Sequence, residues 1–116
     1  MACNGVKTPL KMPDDLTNEN VKEMLQAQLD ALNEPENAKR LKDVRDDCKN
    51  EAMRVMCYLF PQVVAIQTRV LGNFGVVGTQ GLIQFITHVK EMMKDDPEIE
   101  RLYRELQTKT YLDPHF

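Results

Sequence analysis

Residues that build reactive or metal-binding sites are scarce in this sequence. Its 116 residues include two histidines, His88 and His115. Four residues to either side of His88 stand Gln84 and the soft thioether Met92, which do not complete a zinc set with one imidazole. No metal ligand is assigned, and no cofactor is expected. The three cysteines, Cys3, Cys48 and Cys57, form no close pair. If one helix carries the last two, their nine-residue separation is about 13 Å, beyond disulfide reach. Cys48 and Cys57 read as small core residues, and a reactive thiolate at Cys48 has only Arg45 and Lys49 as cationic neighbours. No Gly-x-Ser-x-Gly elbow, Walker phosphate loop or dinucleotide fingerprint occurs. Gly72-Asn73-Phe74-Gly75 has GxxG spacing but lacks the basic flanks of an RNA-clamping loop, so it reads as a helix-ending turn. No catalytic residue is assigned, and no enzymatic activity is expected.

An excess of positive charge is absent too. Fifteen basic residues against 18 acidic ones leave a net charge of -3, the wrong balance for neutralising phosphates. Lys39, Arg40, Lys42, Arg45 and Lys49 are interleaved with Glu36, Asp43, Asp46, Asp47 and Glu51, the pattern of a salt-bridged solvent face. Nucleic acid is not an expected partner. No run of about 20 apolar residues is uninterrupted, because Pro61, Gln62, Gln67, Thr68 and Arg69 fall within the most apolar window. Membrane insertion is therefore not expected. Met1 to Met12 contains no apolar run resembling a signal peptide, Ala2 does not accept a myristoyl group, and the terminal Asp113-Pro114-His115-Phe116 has no prenylation cysteine. A cytoplasmic location is expected.

What is present is helical periodicity. Residues 1–16 show no period and read as a flexible arm, with a bundle over 17–109 and a tail over 110–116. From Thr17, Val21, Met24, Leu25, Gln28, Leu29 and Leu32 recur at spacings of three and four, the stripe of an amphipathic helix. Pro35 suits the first turn of a second helix starting near Glu34, antiparallel to the first. Its stripe runs through Ala38, Leu41, Val44, Cys48, Ala52, Val55, Met56 and Leu59, and resumes beyond Pro61 at Val63, Ile66, Val70 and Phe74. An interior proline costs about 3 kcal/mol in a regular helix, so the long helix should kink or break there. Gly72, Gly75, Gly78 and Gly81 mark a turn, and Thr79 suits the cap of a helix whose stripe is Leu82, Phe85, Ile86, Val89 and Met93. Asp96-Pro97-Glu98 starts a last helix buried through Ile99, Leu102, Tyr103 and Leu106. The expected fold is an all-α compact bundle of four or five helices.

From Val55 to Val89 the single permanent charge is Arg69. Either Pro61 to Leu71 is a helix surrounded on all sides, or one side stays open for a partner. The second reading names Val64, Val70, Phe74 and Phe85 as candidate interface residues. Its partner is another protein or a second copy of the chain. Met53, Met56, Met92 and Met93 either line an adaptable groove or fill the core. A rival reading places a ligand pocket or an enzyme site near the glycine loop and His88, with Arg69 and Tyr103 as further polar groups.

Pro35-Glu36-Asn37-Ala38, Arg40, Arg45-Asp46, Asn50, Pro61, Ile66-Gln67, Val70, Phe74-Gly75, Gly81, Phe85, Val89-Lys90 and Asp96-Pro97-Glu98-Ile99 together resemble the protein C-ten family. The similarity covers about residues 34 to 103. It departs from the family in the length of the glycine loop and in the cysteine position near Asp47-Cys48-Lys49, and the residues before and after the span are not close. The resemblance implies a cytoplasmic helical protein, in a family linked in vertebrates to brain development, with no established enzymatic activity and no family site residues to carry over. A non-enzymatic interaction or regulatory module is the function expected.

Overall fold

The computed structural model describes residues 16–110, so the expected arm and tail lie outside the described residues except for Leu16 and Thr110. Five helices follow one another: α1 (Asn18–Leu32), α2 (Pro35–Cys48), α3 (Ala52–Gly72), α4 (Gly78–Met92) and α5 (Pro97–Thr110). No strand occurs among the described residues. The bundle expected from the apolar spacing is thus observed.

The start of α1 follows from Thr17, whose Oγ1 accepts the Asn20 N–H at 3.1 Å. All six stripe residues of α1 are buried, Gln28 among them. α1 is the centre of the molecule, packed between α5 and the second half of α3. Each large side chain buried there contributes about 1.5–3 kcal/mol. The stripe of α5, Ile99, Leu102, Tyr103 and Leu106, is buried as expected and meets α1 across this core.

The join between α1 and α2 is built by Pro35 and Asn37. Pro35 occupies the first helical position, where no N–H is needed. Asn37 is buried; its Nδ2 donates to the Ala31 carbonyl at 2.9 Å, and its Oδ1 accepts from Arg40 Nη2 at 2.9 Å. One side chain therefore ties a carbonyl left open at the end of α1 to the first turn of α2. Beyond this join α2 contacts α1 sparsely, contrary to the antiparallel pairing expected, and packs instead on the first half of α3. Its face holds too few apolar side chains for a second core seam: Ala38 is exposed, Val44 is half-buried, and Leu41 and Cys48 are buried.

The stripe expected to run unbroken from Ala38 to Leu59 is divided. α2 stops at Cys48, and Lys49 and Asn50 both take left-handed backbone angles, with φ 51° and 62°. Neither is glycine, and the apolar spacing continues across them, so periodicity alone concealed the break. The irregularity expected at Pro61 takes the form of a π-helical segment, Val55–Leu59, immediately before it. The Phe60 N–H donates to the Val55 carbonyl five residues back. This widened turn sits where the α-helical ladder is interrupted anyway, because Pro61 has no N–H and its ring needs room in the preceding turn. Gln62 Nε2 donates to the Tyr58 carbonyl at 3.1 Å, satisfying a backbone acceptor beside the interruption.

α3 ends in a glycine turn. Gly75 has φ 89°, the Val76 N–H reaches back to the Leu71 carbonyl at 3.0 Å, and the Gly75 N–H to the Gly72 carbonyl at 3.0 Å, which is a Schellman closure. Val76 is buried and anchors the re-entering chain. α4 then starts at Gly78 behind Val77, with no side-chain cap, and Thr79 lies inside the first turn instead of capping it. Gly81 is helical. A Cβ there would stand 2.8 Å from Val76 Cγ1, so its lack of a side chain lets α4 lie against the turn.

Candidate functional site

The charge-poor stretch is open on one side. Along the second half of α3, Val63, Ile66, Gln67, Val70 and Leu71 face the core, while Ala65 and Arg69 are exposed. The reading of a helix surrounded on all sides is therefore set aside. The open apolar surface lies chiefly on the first half of α3. Met53 is 72% exposed, Met56 65%, Tyr58 62% and Phe60 40%; Ile83 on α4 is 59% exposed. Cys57 is exposed among them, which corrects its expected place in the core, while Cys48 is buried as expected.

This changes the candidate interface. Phe85 and Val70 are buried core residues, so neither is available to a partner. Val64 and Phe74 are half-buried and pack against the core. The signal overlooked in the sequence is angular. Val55, Leu59 and Val63 repeat every four residues and use up the buried face, which leaves Met53, Met56, Cys57 and Tyr58 no core to enter. Met92 and Met93 are partly buried against the core, so the four methionines divide between surface and interior.

Among the clefts lined by described residues, three stand out. The largest, about 460 Å³, lies between the end of α2 and the π-helical segment and is lined by Val44, Asp47, Cys48, Arg54, Tyr58 and Gln62. Across it Arg54 Nη1 donates to the Asp47 carbonyl at 3.3 Å, and Arg54 Nε lies 3.4 Å from Glu51. A second, about 320 Å³, opens between α2 and the end of α5, where Arg45 Nη2 donates to the Lys109 carbonyl at 3.1 Å. The third, only about 60 Å³, is mostly apolar and lies under Phe60, Val64 and Ile86. Tyr103 lines this last cleft, but His88 and Arg69 line none of the three. Arg69 is exposed and His88 half-buried, and none of these clefts brings His88, Arg69 and Tyr103 together as the rival reading required. Among the described residues no group of three His, Cys, Asp or Glu side chains is placed to hold a metal ion.

Charge is concentrated away from the apolar face. On α2, Lys39 pairs with Asp43 at 3.1 Å and Lys42 with Asp46 at 2.9 Å, the solvent-facing ladder expected. The Lys42 ammonium is held above its ordinary pKa, first by its hydrogen bond to Asp46 and then by the charges of Asp46 and Asp43. At the start of α5, Asp96 Oδ1 accepts the N–H groups of Glu98 at 3.0 Å and Ile99 at 3.3 Å, while Oδ2 accepts from Asn18 Nδ2 at 2.9 Å. Lys22 stands 3.5 Å from Asp96 and 3.7 Å from Glu98. The Asn18 hydrogen bond, the two backbone donors and Lys22 hold the Asp96 carboxyl below its ordinary value, against the opposing effect of partial burial. For Lys22, burial opposes the charge but is outweighed by Asp96, Glu19 and Glu98, so its pKa is raised. These groups staple α5 to α1.

The two segments that carried the resemblance most specifically therefore have structural tasks. Pro35-Glu36-Asn37-Ala38 joins α1 to α2, and Asp96-Pro97-Glu98-Ile99 caps α5 and docks it on α1. The family model described as Protein C10 matches residues 17–115. The chain belongs to the Protein C10 family. The match is longer than the 34 to 103 read from motifs, because it takes in α1 and the residues after Gln107. Protein C10 of Xenopus laevis is 34% identical over 101 residues, covering 86% of this chain and 79% of that protein. Protein C10 of Homo sapiens is 30% identical over 96 residues, covering 82% and 76%. That of Danio rerio is 28% identical over 101 residues, covering 86% and 82%. No solved structure matches.

α3 meets the length and composition of a membrane-crossing helix, with 21 residues and a mean hydropathy of 1.2 in its most apolar window, of which 39% is buried inside the bundle. A helix that supplies part of a core passes the same test, and Val55, Leu59, Val63, Ile66, Val70 and Leu71 are such a contribution.

Proposed function

We propose that this member of the Protein C10 family is a non-enzymatic interaction module, cytoplasmic, that docks another protein through the apolar face of α3. The observation that carries the reading is the exposure of Met53, Met56 and Tyr58 on one short helical segment already anchored by Val55 and Leu59. Isolated exposed apolar residues are ordinary, but several on one surface mark interaction sites. Methionines adapt their shape to a partner, and tyrosine gives a broad contact with a polar tip. The anchoring stripe holds the segment in place before a partner arrives, which limits the ordering cost of binding.

The test is capture from neural extracts, chosen because the family's link to brain development sets the tissue. Immobilised wild-type chain, Met56→Asp and Lys39→Ala are compared by quantitative mass spectrometry. At least one protein should be held by wild type and Lys39→Ala but reduced about tenfold on Met56→Asp, as for a central interface residue. Identical captured sets on all three would refute the reading.

A further inference from the structure

We infer that the smallest of the three clefts binds a slender, uncharged alcohol, whose hydroxyl donates to Gln67 Oε1. The site is separate from the α3 face of the proposed function and does not depend on it. Four helices wall it: α1 through Leu25, the second half of α3 through Gln67, α4 through Phe85 and α5 through Leu106. These four residues are buried, so the cleft reaches the core, while half-buried Val64 and Ile86 and exposed Phe60 stand nearer the solvent. A space between bundle helices with apolar walls and a few polar groups is a common form of ligand site.

The uncommitted oxygen separates this cleft from an ordinary gap in packing. Gln67 spends its Nε2 on Gln28 Oε1 at 3.1 Å, and Gln28 spends its own Nε2 on the Met24 carbonyl at 3.3 Å. No donor among the described residues is bonded to Gln67 Oε1. Every fully buried side-chain oxygen among those residues has a partner, so this one is not fully enclosed. It opens onto the cleft that Gln67 lines, although only 6% of the residue is exposed. An amide oxygen held in a core without a protein donor calls for one from outside.

The lining sets the chemistry of the occupant. No charged side chain among the described residues lines the cleft, so an ion entering it would lose hydration without gaining a counter-charge. An ionised carboxylate, in addition, brings no donor to Oε1. A hydrocarbon suits the walls but leaves Oε1 unpaired once water is displaced, whereas a hydroxyl replaces that hydrogen bond. Size selects further: about 60 Å³ is the room of roughly two waters, enough for a hydroxyl and its first carbon but not for a ring. The remainder of an unbranched chain then lies along Phe60, Val64 and Ile86. An unbranched primary alcohol meets all of these conditions.

The test uses the full chain with labelled methyl groups and side-chain amides, followed by nuclear magnetic resonance. It is titrated with n-hexanol, with its isomer methyl pentyl ether and with hexanoate, each up to about 10 mM. Hexanol should saturably shift the Gln67 amide and the methyls of Leu25, Val64 and Ile86. The ether and hexanoate should bind at least about fivefold more weakly, the loss of one hydrogen bond. With Gln28→Leu and Gln67→Leu combined, which leaves no amide in the cleft wall between α1 and α3, hexanol and the ether should bind alike. Ile86→Phe, which fills the mouth, should weaken hexanol binding at least about fivefold with an unchanged circular dichroism spectrum. Shifts that do not saturate, or that are confined to the methyls of Met53 and Met56, overturn the site. So does equal binding of hexanol and either comparison compound to the wild type, or a preference for hexanol over the ether that survives in the double variant. If the double variant does not fold, Ile86→Phe decides: hexanol binding unchanged there overturns the site as well.

Discussion

Replacing Gln67 with leucine tests how the core is held together where it is polar. Gln67 Nε2 donates to Gln28 Oε1 at 3.1 Å, joining α3 to α1, and Gln28 Nε2 in turn donates to the Met24 carbonyl at 3.3 Å. Both side chains are buried, and no buried side-chain nitrogen or oxygen among the described residues lacks a partner. In Gln67→Leu the volume is nearly kept, but Gln28 Oε1 loses its donor in a place water does not reach. An acceptor stranded in this way costs about 1–3 kcal/mol. Gln28→Leu strands Gln67 Nε2 and should cost a similar amount, since the Met24 carbonyl keeps its place in the helix. With both changed, no polar group is left unpaired and two leucines pack in the gap, so the double variant should be nearly as stable as wild type. The assay is urea unfolding of the four proteins in a double-mutant cycle, read with thermal midpoints that move about 4–8 °C per kcal/mol in a domain of this size. Coupling of at least about 1 kcal/mol is expected. Costs that simply add, or single variants indistinguishable from wild type, refute the account of this bridge.

Phe85→Ala, fully buried, should cost about 3–5 kcal/mol, whereas exposed Met56→Asp should stay within about 0.5 kcal/mol; equal losses in chemical denaturation would contradict the division between core and open face. Lys49→Gly relieves a left-handed lysine and should stabilise by about 0.5–1 kcal/mol, seen as a raised thermal midpoint. Gly81→Ala gains helix propensity but drives a methyl to 2.8 Å from Val76, so a net loss of about 1–2 kcal/mol is expected, recovered in part by Val76→Ala. Asp96, with its pKa lowered from 3.8, stabilises the fold above that value, and this contribution disappears as pH falls through its folded pKa. Asp96→Asn should therefore be less stable than wild type at neutral pH and converge with it in acid, as followed by circular dichroism on titration; a gap that persists unchanged in strong acid would contradict the assignment.

The helices and most of their buried faces were legible because a 3.6-residue period leaves few choices. Val21, Met24, Leu25, Leu29 and Leu32 occupy one side of any helix they form, and so do Ile99, Leu102, Tyr103 and Leu106. Start signals read equally well at Thr17, Pro35 and Asp96, since a cap acts on its own first turn. The end of α2 did not, because Lys49 and Asn50 adopt left-handed angles without the glycine that announces them. The π-helical segment before Pro61 was legible only as trouble near a proline, for a sequence does not say which turn absorbs it.

The candidate face was less legible than the helices that carry it. A charge-free stretch from Val55 to Val89 shows that much apolar surface needs cover, and the sequence goes no further. Which side is covered depends on where the other helices lie. α1 packs over the second half of α3, where Val63, Ile66 and Val70 are buried, and α4 brings Phe85 into the core, so two candidates named for the surface are interior. α2 covers Val55 and Leu59 but leaves Met53, Met56 and Cys57 outside. By itself the sequence determined an all-helical bundle of amphipathic segments, the helix starts at Thr17, Pro35 and Asp96, and a missing set of charges, all of them local properties of neighbours along the chain. The tertiary structure alone decided which apolar residues remain in water, because burial depends on residues far away in sequence.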